Sequence, residues 1–136
     1  MIVTDTGPLV AIINRKDKNH VRCVRELAAL TGPLLITWPV FTEAMHFLGR
    51  EVGWEAQDRL WRILKRGDLQ IAPLLEDAIR RMRALMEKYR DVPMDMADAS
   101  LVILCEQMAQ KRIFTQDRDF RFYRMQGNKA FQIVPR

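Results

Sequence analysis

Met1-Ile2-Val3-Thr4-Asp5-Thr6-Gly7-Pro8-Leu9 opens the chain, and this stretch decides the reading of the fold. Met1 to Asp5 is a short apolar run that ends on a carboxylate, the pattern of a buried strand. Thr6-Gly7-Pro8 turns the chain, and Pro8 suits the first position of a helix. Leu9 to Asn14 continues that helix as a short apolar segment. A strand that runs through a tight turn into a helix sets a pattern that the rest of the chain repeats.

Asn14 to Asn19 is a polar loop, and His20 to Thr31 follows at helical spacing, with Val21, Val24, Leu27, Ala28 and Leu30 as the expected inward face. Gly32-Pro33 stops it before a second strand, Leu34 to Thr37. Pro39 opens a helix to Gly49 or Val52, and Trp54 to Lys65 gives another, with Leu60, Trp61 and Leu64 along one side. Leu69 to Ala72 is a third strand, and Leu74 to Tyr89 reads as a long amphipathic helix. Asp91 to Met94 links it to a helix from Asp95 to Gln110. Ile113 to Thr115 is a fourth strand, Arg118 to Met125 a turn or short helix, and Phe131 to Val134 the last strand. Strands alternating with helices predict an α/β domain with a mainly parallel sheet of about five strands.

The chain has 136 residues, 22 Lys plus Arg against 17 Asp plus Glu, and a net charge of +5. That length is one ordinary domain, able to hold a core without crosslinks, so residues 1–136 are read as a single domain. A hydrophobic content of 49% excludes a disordered chain. Cys23 and Cys105 are too few for a disulfide scaffold and have no metal-type spacing; both fall on apolar helix faces and are expected as reduced core thiols. No run approaches the roughly 18 apolar residues of a membrane span, and Asp5 comes too early for a secretory leader. The expectation is a cytoplasmic protein with no membrane partner. Neither a Walker-type phosphate loop nor G-x-G-x-x-G is present.

In a parallel sheet, ligands bind outside the carboxyl ends of the strands, so the polar residues that follow each strand carry the functional reading. Asp5 follows the first strand, Glu43 lies in the helix after the second, Asp95 and Asp98 head the late helix, and Asp117 and Asp119 follow the fourth. Each has a structural alternative: Asp5 and Asp95 as helix N-caps, Asp117 and Asp119 as turn formers, Glu43 on a solvated helix side. At about 100° per residue, however, Asp98 lies with Leu101, Val102, Cys105 and Ala109, on an inward face. A carboxylate there is costly unless paired, neutral or bound to metal. Several acids on one edge repel each other unless a cation sits among them. Oxygen ligands without His or Cys suit Mg²⁺ or Mn²⁺, and such an ion in a net-basic protein points to phosphodiester hydrolysis, with Lys and Arg holding the flanking backbone.

These segments resemble the PIN-domain ribonucleases, most closely the VapC-type toxins of toxin–antitoxin pairs. The likeness covers nearly the whole chain and rests on Met1 to Leu9, Pro39 to Glu43, Asp95 to Val102 and Thr115 to Phe120. It implies a three-layer α/β/α fold and makes Asp5, Glu43, Asp98 and Asp117 the metal-site acids of an Mg²⁺- or Mn²⁺-dependent endoribonuclease. Asp5 and Asp98 would be the principal ligands, Glu43 would hold metal-bound water or act as a base, and Asp117 would complete the site or bind a second ion. Thr6 and Thr115 would orient carboxylates, Asp95 would be an outer helper, and Asp119 would cap the next turn. The implied partners are an RNA substrate, a cognate antitoxin protein and a second copy of the chain in a homodimer.

Other residues are weighed on their own. Arg118, Arg121 and Arg124, beside the expected acids, are candidate RNA contacts; Arg80 to Arg90 divide between RNA and a solvated helix face. His46 is expected on the solvent side of its helix, and no Ser/His/Asp relay is readable. Asp5-Thr6-Gly7 spells an aspartic-protease triplet, but a helix follows it here. Trp38 and the helical Met82, Leu85, Met86 and Tyr89 are expected in the core, the last four against the sheet. The alternatives are an RNA-processing PIN nuclease without an antitoxin, a non-catalytic RNA-binding PIN-like domain, and a phosphatase or receiver domain, which would want a second acid beside Asp5.

Overall fold

A computed structural model describes residues 1–136. The first strand, β1 (Ile2–Thr4), feeds helix α1 (Thr6–Ile13), and α2 (His20–Ala29) leads to β2 (Leu34–Ile36). Helices α3 (Trp38–Glu51) and α4 (Trp54–Arg66) precede β3 (Leu69–Ile71), and α5 (Ala78–Lys88) and α6 (Met96–Met108) precede β4 (Arg112–Phe114). A 3-10 turn (Arg118–Arg121) enters a small hairpin, β5 (Arg124–Met125) and β6 (Lys129–Ala130), before β7 (Gln132–Val134).

Five strands form one parallel sheet in the order β3-β2-β1-β4-β7, as the alternation of elements predicts. Right-handed crossovers place α1 to α4 on one face and α5 and α6 on the other; α1 packs on α2, α3 and α4, while α5 packs on α6. The result is three layers, with β1 at the centre. Its residues are buried, as are nine consecutive residues of α6, Ala97 to Cys105. Such a helix is apolar on all sides because it is covered by the sheet beneath and by α5 and the hairpin outside. Both cysteines are free and buried, as expected.

Several local expectations are corrected. The long helix begins at Ala78, not Leu74. Backbone pairing runs past β3, with the Ala72 N–H donating to Ile36 O at 2.9 Å, and Gln107 then fixes the loop by accepting from the Leu75 N–H at 2.9 Å. The chain is therefore held off the helix until a turn at Glu76 and Asp77, closed by the Ala78 N–H donating to Leu75 O at 2.9 Å. From there α5 lies on α6 instead of on the sheet, joined by a two-pronged Arg81–Glu106 ion pair at 2.9 and 3.3 Å. On α2 the buried residue is Cys23, and Val21, Val24 and Ala28 are exposed; the inward line is Cys23, Leu27 and Leu30, which pack on the core. Trp38 is 60% exposed rather than in the core. It opens α3 beyond the sheet edge and meets Phe41 edge-on, and Phe41 in turn meets Trp61. No helix is long and apolar enough to cross a membrane.

Candidate metal centre

The register of the central strands builds the site. Thr4 of β1 pairs with Phe114 of β4, so the next residues, Asp5 and Thr115, leave the sheet side by side. The Asp5 N–H donates to Phe114 O at 2.9 Å. Asp5 Oδ2 accepts from the Thr115 hydroxyl at 2.7 Å, and Oδ1 accepts from the Thr6 N–H at the same distance. Asp5 is thus a helix N-cap whose second carboxylate oxygen is held by Thr115. Thr115 Oγ1 also accepts from the Asp117 N–H at 2.9 Å, so one hydroxyl fixes two of the acid-bearing segments.

The third acid arrives on α6. Asp95 is its N-cap, accepting from the Asp98 N–H at 2.8 Å. Thr37, at the end of β2, bonds the Ser100 hydroxyl at 2.7 Å, and Ser100 in turn donates to Ala97 O. These bonds anchor the first turn of α6 over the sheet edge, and Asp98 is buried there. Oxygen atoms of Asp5, Asp98 and Asp117 come within 4.8 Å of one another. Glu43 stands on the wall of the same pocket, outside that cluster, half-buried on α3.

The pocket, about 390 Å³ in volume, is lined by carboxylates and contains no lysine, arginine or histidine. Besides Asp5, Asp98, Asp117 and Glu43 it is bordered by Asp17, Glu51 and Asp95. Burial pushes Asp98 up to about 8, and the charges of Asp5 and Asp95 add to it. Burial also pushes Asp5 up to about 6, against the pull of its bonds from Thr115 and Thr6. Bare of cations, the cluster cannot ionise fully near neutral pH. A hard divalent cation answers both features: the donors are all oxygen, and the buried Thr6 Oγ1, on the same wall, has no hydrogen-bond partner. The residues present fit Mg²⁺ or Mn²⁺.

Tyr123 is a contributor that sequence spacing does not reveal. Its hydroxyl donates to Asp98 Oδ2 at 2.9 Å, and its fully buried ring is held edge-on by Tyr89 and Phe120. The only sequence signal is an aromatic with a polar tip in a turn-rich segment. Asp117, rather than Asp119, caps the 3-10 turn: its Oδ1 accepts from the Asp119 N–H at 2.9 Å. The shorter reach from a residue at the turn's entrance decides this. Asp119 stays beside Asp117, whose charge adds to burial in raising its carboxyl. Arg124 is folded back on the chain, donating to the carbonyls of Arg121 and Tyr123. On α5, Arg81 and Arg83 are paired with glutamates, and His46 is exposed as expected.

Thr115→Val keeps the side-chain shape and deletes the bond to Asp5. Mn²⁺ affinity, read by isothermal titration, is expected to fall about 10- to 100-fold, the usual effect of losing a partner that orients a metal ligand. Unchanged affinity would show that Asp5 needs no such support.

Comparison with known proteins gives a consistent assignment. A family model described as the PIN domain matches residues 2–127. Ribonuclease VapC26 of Mycobacterium tuberculosis is 24% identical over 135 residues, which cover 98% of this chain and all of that protein. Among solved structures, M. tuberculosis VapC20, described as a sarcin–ricin loop cleaving toxin, superposes with a TM-score of 0.81 at 18% identity, covering 88% of this chain and 92% of that one. A toxin–antitoxin complex from Klebsiella pneumoniae superposes at 0.67 and 17% identity, covering 88% and 90%.

Proposed function

We propose a function from one premise: the chain belongs to the PIN-domain family. It is an endoribonuclease that hydrolyses RNA phosphodiester bonds with a divalent cation, Mg²⁺ or Mn²⁺, and it is the toxin of a toxin–antitoxin pair. The observation that carries the reading is the meeting of Asp5, Asp98 and Asp117, from three distant segments, in a pocket with no basic side chain. Full-length similarity to a curated ribonuclease supports the activity. The fold shared with a protein of a toxin–antitoxin complex supports the partner, a cognate antitoxin.

Asp5, Asp98 and Asp117 would hold the cation. When bound, it supplies a Lewis acid for the scissile phosphate and makes water a stronger acid beside it. Thr115 and Tyr123 keep the Asp5 and Asp98 carboxylates aimed into the pocket. Glu43, on the wall of the same pocket, would orient the attacking water and take its proton. Hydrolysis by water needs no covalent protein intermediate. The protein acts in the cytoplasm as a homodimer.

Cleavage of a mixed pool of structured RNAs tests this. The protein, freed of any antitoxin, is expected to cut in Mg²⁺ or Mn²⁺, to stop in EDTA, and to lose activity as Asp5→Asn. A folded protein that neither cuts RNA nor binds Mn²⁺ would instead be a non-catalytic member of the family.

A further inference from the structure

Thr115, Gln116 and Asp117 carry the chain from the end of β4 to the 3-10 turn without regular structure. Each side chain is tied to a different element. The Thr115 hydroxyl holds Asp5 at the end of β1, and Asp117 caps the turn ahead of it. Gln116, between them, reaches sideways to α2, where its amide Nε2 donates to Cys23 Sγ at 2.9 Å. Cys23 is fully buried, and burial raises its thiol above the ordinary range. It therefore meets Gln116 as a neutral acceptor and not as a reactive group.

On its way to Cys23 the Gln116 side chain lies against α1 at Gly7. Gly7 is the second residue of that helix and is not at a positive φ that would call for glycine. Alanine would ordinarily be the better residue in a helix. A methyl group at Gly7, however, would stand 3.1 Å from Gln116 Oε1, closer than an ordinary van der Waals contact. The bare backbone at Gly7 thus makes room for the Gln116 amide. Gly7, Gln116 and Asp117 all border the acidic pocket, as does Asp17 in the loop before α2. The amide closes the wall where α1, α2 and the β4 loop meet.

Asp117 is the clustered acid with the least support of its own. Asp5 and Asp98 are buried, and each accepts from a buried hydroxyl. Asp117 is half-buried, and its Oδ1 is engaged by its own turn. Its backbone N–H bonds Thr115 Oγ1, which leaves the neighbouring Gln116 as the link to the helical layer.

We propose that Gln116 is a positioning residue: tied to Cys23 and seated on Gly7, it fixes the course of the β4 loop and so holds Asp117 in the acidic cluster. This role rests on the metal-dependent reading above. It adds a clamp between α2 and the acid-bearing loop, made by groups that need not touch the cation or the RNA.

The test reads metal binding and backbone protection apart from RNA cleavage, in variants whose far-UV spectra show them folded. Gln116→Ala is expected to weaken Mn²⁺ binding, by isothermal titration, about fivefold, less than the roughly 10- to 100-fold of losing a direct partner of a ligand. In EDTA, the Asp117 amide that Thr115 Oγ1 protects should exchange with solvent about tenfold faster, read by NMR. Cys23→Ala should reproduce both effects. Cys23→Ser, whose hydroxyl accepts from the same amide, should reverse them, and that rescue separates the bond from packing at Cys23. Gly7→Ala should weaken Mn²⁺ binding about threefold by itself and not at all beside Gln116→Ala, the non-additivity of groups that act through one contact. Unchanged Mn²⁺ affinity and unchanged Asp117 exchange in Gln116→Ala would overturn the clamp and leave the metal centre intact. Weaker binding of a fluorescein-labelled oligouridylate in EDTA, with metal affinity and exchange unchanged, would make Gln116 a substrate contact and overturn it as well. A wild type that binds no Mn²⁺ removes the metal-dependent reading, and the Asp117 exchange rate in EDTA then decides the clamp by itself.

Discussion

Asp98→Asn is expected to cut RNA at least about a thousandfold more slowly than the wild type, the scale of losing a charge that holds and completes a cationic site. Asp95→Asn should only reduce the rate, because Asp95 is the exposed cap whose oxygen accepts from the Asp98 N–H. The same Asp98 variant should be more stable than the wild type when both are free of metal. Asp98 is buried, raised to about 8 by burial and by the neighbouring acids, so its ionisation opposes folding. Asparagine keeps an oxygen for the Tyr123 hydroxyl and carries no charge. A rise in melting temperature of roughly 3–6 °C at alkaline pH is the expected scale. Loss of activity with loss of stability would make Asp98 a structural residue. Full activity in Asp98→Asn, with none in Asp95→Asn, would exchange the two assignments.

The metal-free protein is expected to lose stability as the pH rises. Asp5 and Asp98 have folded values near 6 and 8, above the ordinary 3.8, so the folded chain retains protons that the unfolded chain has released. Their contribution is complete below about pH 4 and is lost as the pH climbs through the two folded values. Between about pH 5 and pH 8 the loss should be on the order of 2–4 kcal/mol, well below the full conversion of both shifts because water enters the open pocket. Mn²⁺ at about a hundred times its dissociation constant should return about 3 kcal/mol, and more at the alkaline end, where the ligands are already deprotonated. Calorimetric scans with EDTA and with Mn²⁺ measure both effects. A melting temperature that climbs with pH in EDTA would contradict the electrostatics of the cluster.

Five of the six acids that the sequence singles out line one pocket, Asp119 excepted, because strand ends are legible: Asp5 after Ile2-Val3-Thr4, Asp117 after Ile113-Phe114-Thr115. The inward placement of Asp98 is readable from helical spacing alone. What escapes such reading depends on long-range packing. Nothing around Tyr123 announces that its hydroxyl meets a carboxylate 25 residues earlier. The outward turn of Val21 and Val24 depends on which face of α2 meets α1. The hairpin after the 3-10 turn also escapes, although Gly127 and Asn128, both at positive φ, are a turn signal; its strands of two residues each are too short for any alternation to register. Pro73 and Leu74 look like a helix start, and only Gln107 on α6 explains why the helix waits.

The bond from Thr115 to Asp5 spans 110 residues, and β1 lies between β2 and β4 at the middle of the sheet. A nascent chain that has not yet released Thr115 and Asp117 lacks both the hydroxyl that holds Asp5 and one of the three clustered acids. The acidic cluster is therefore a product of long-range pairing, and a partly made chain cannot assemble it among the RNAs of its own synthesis.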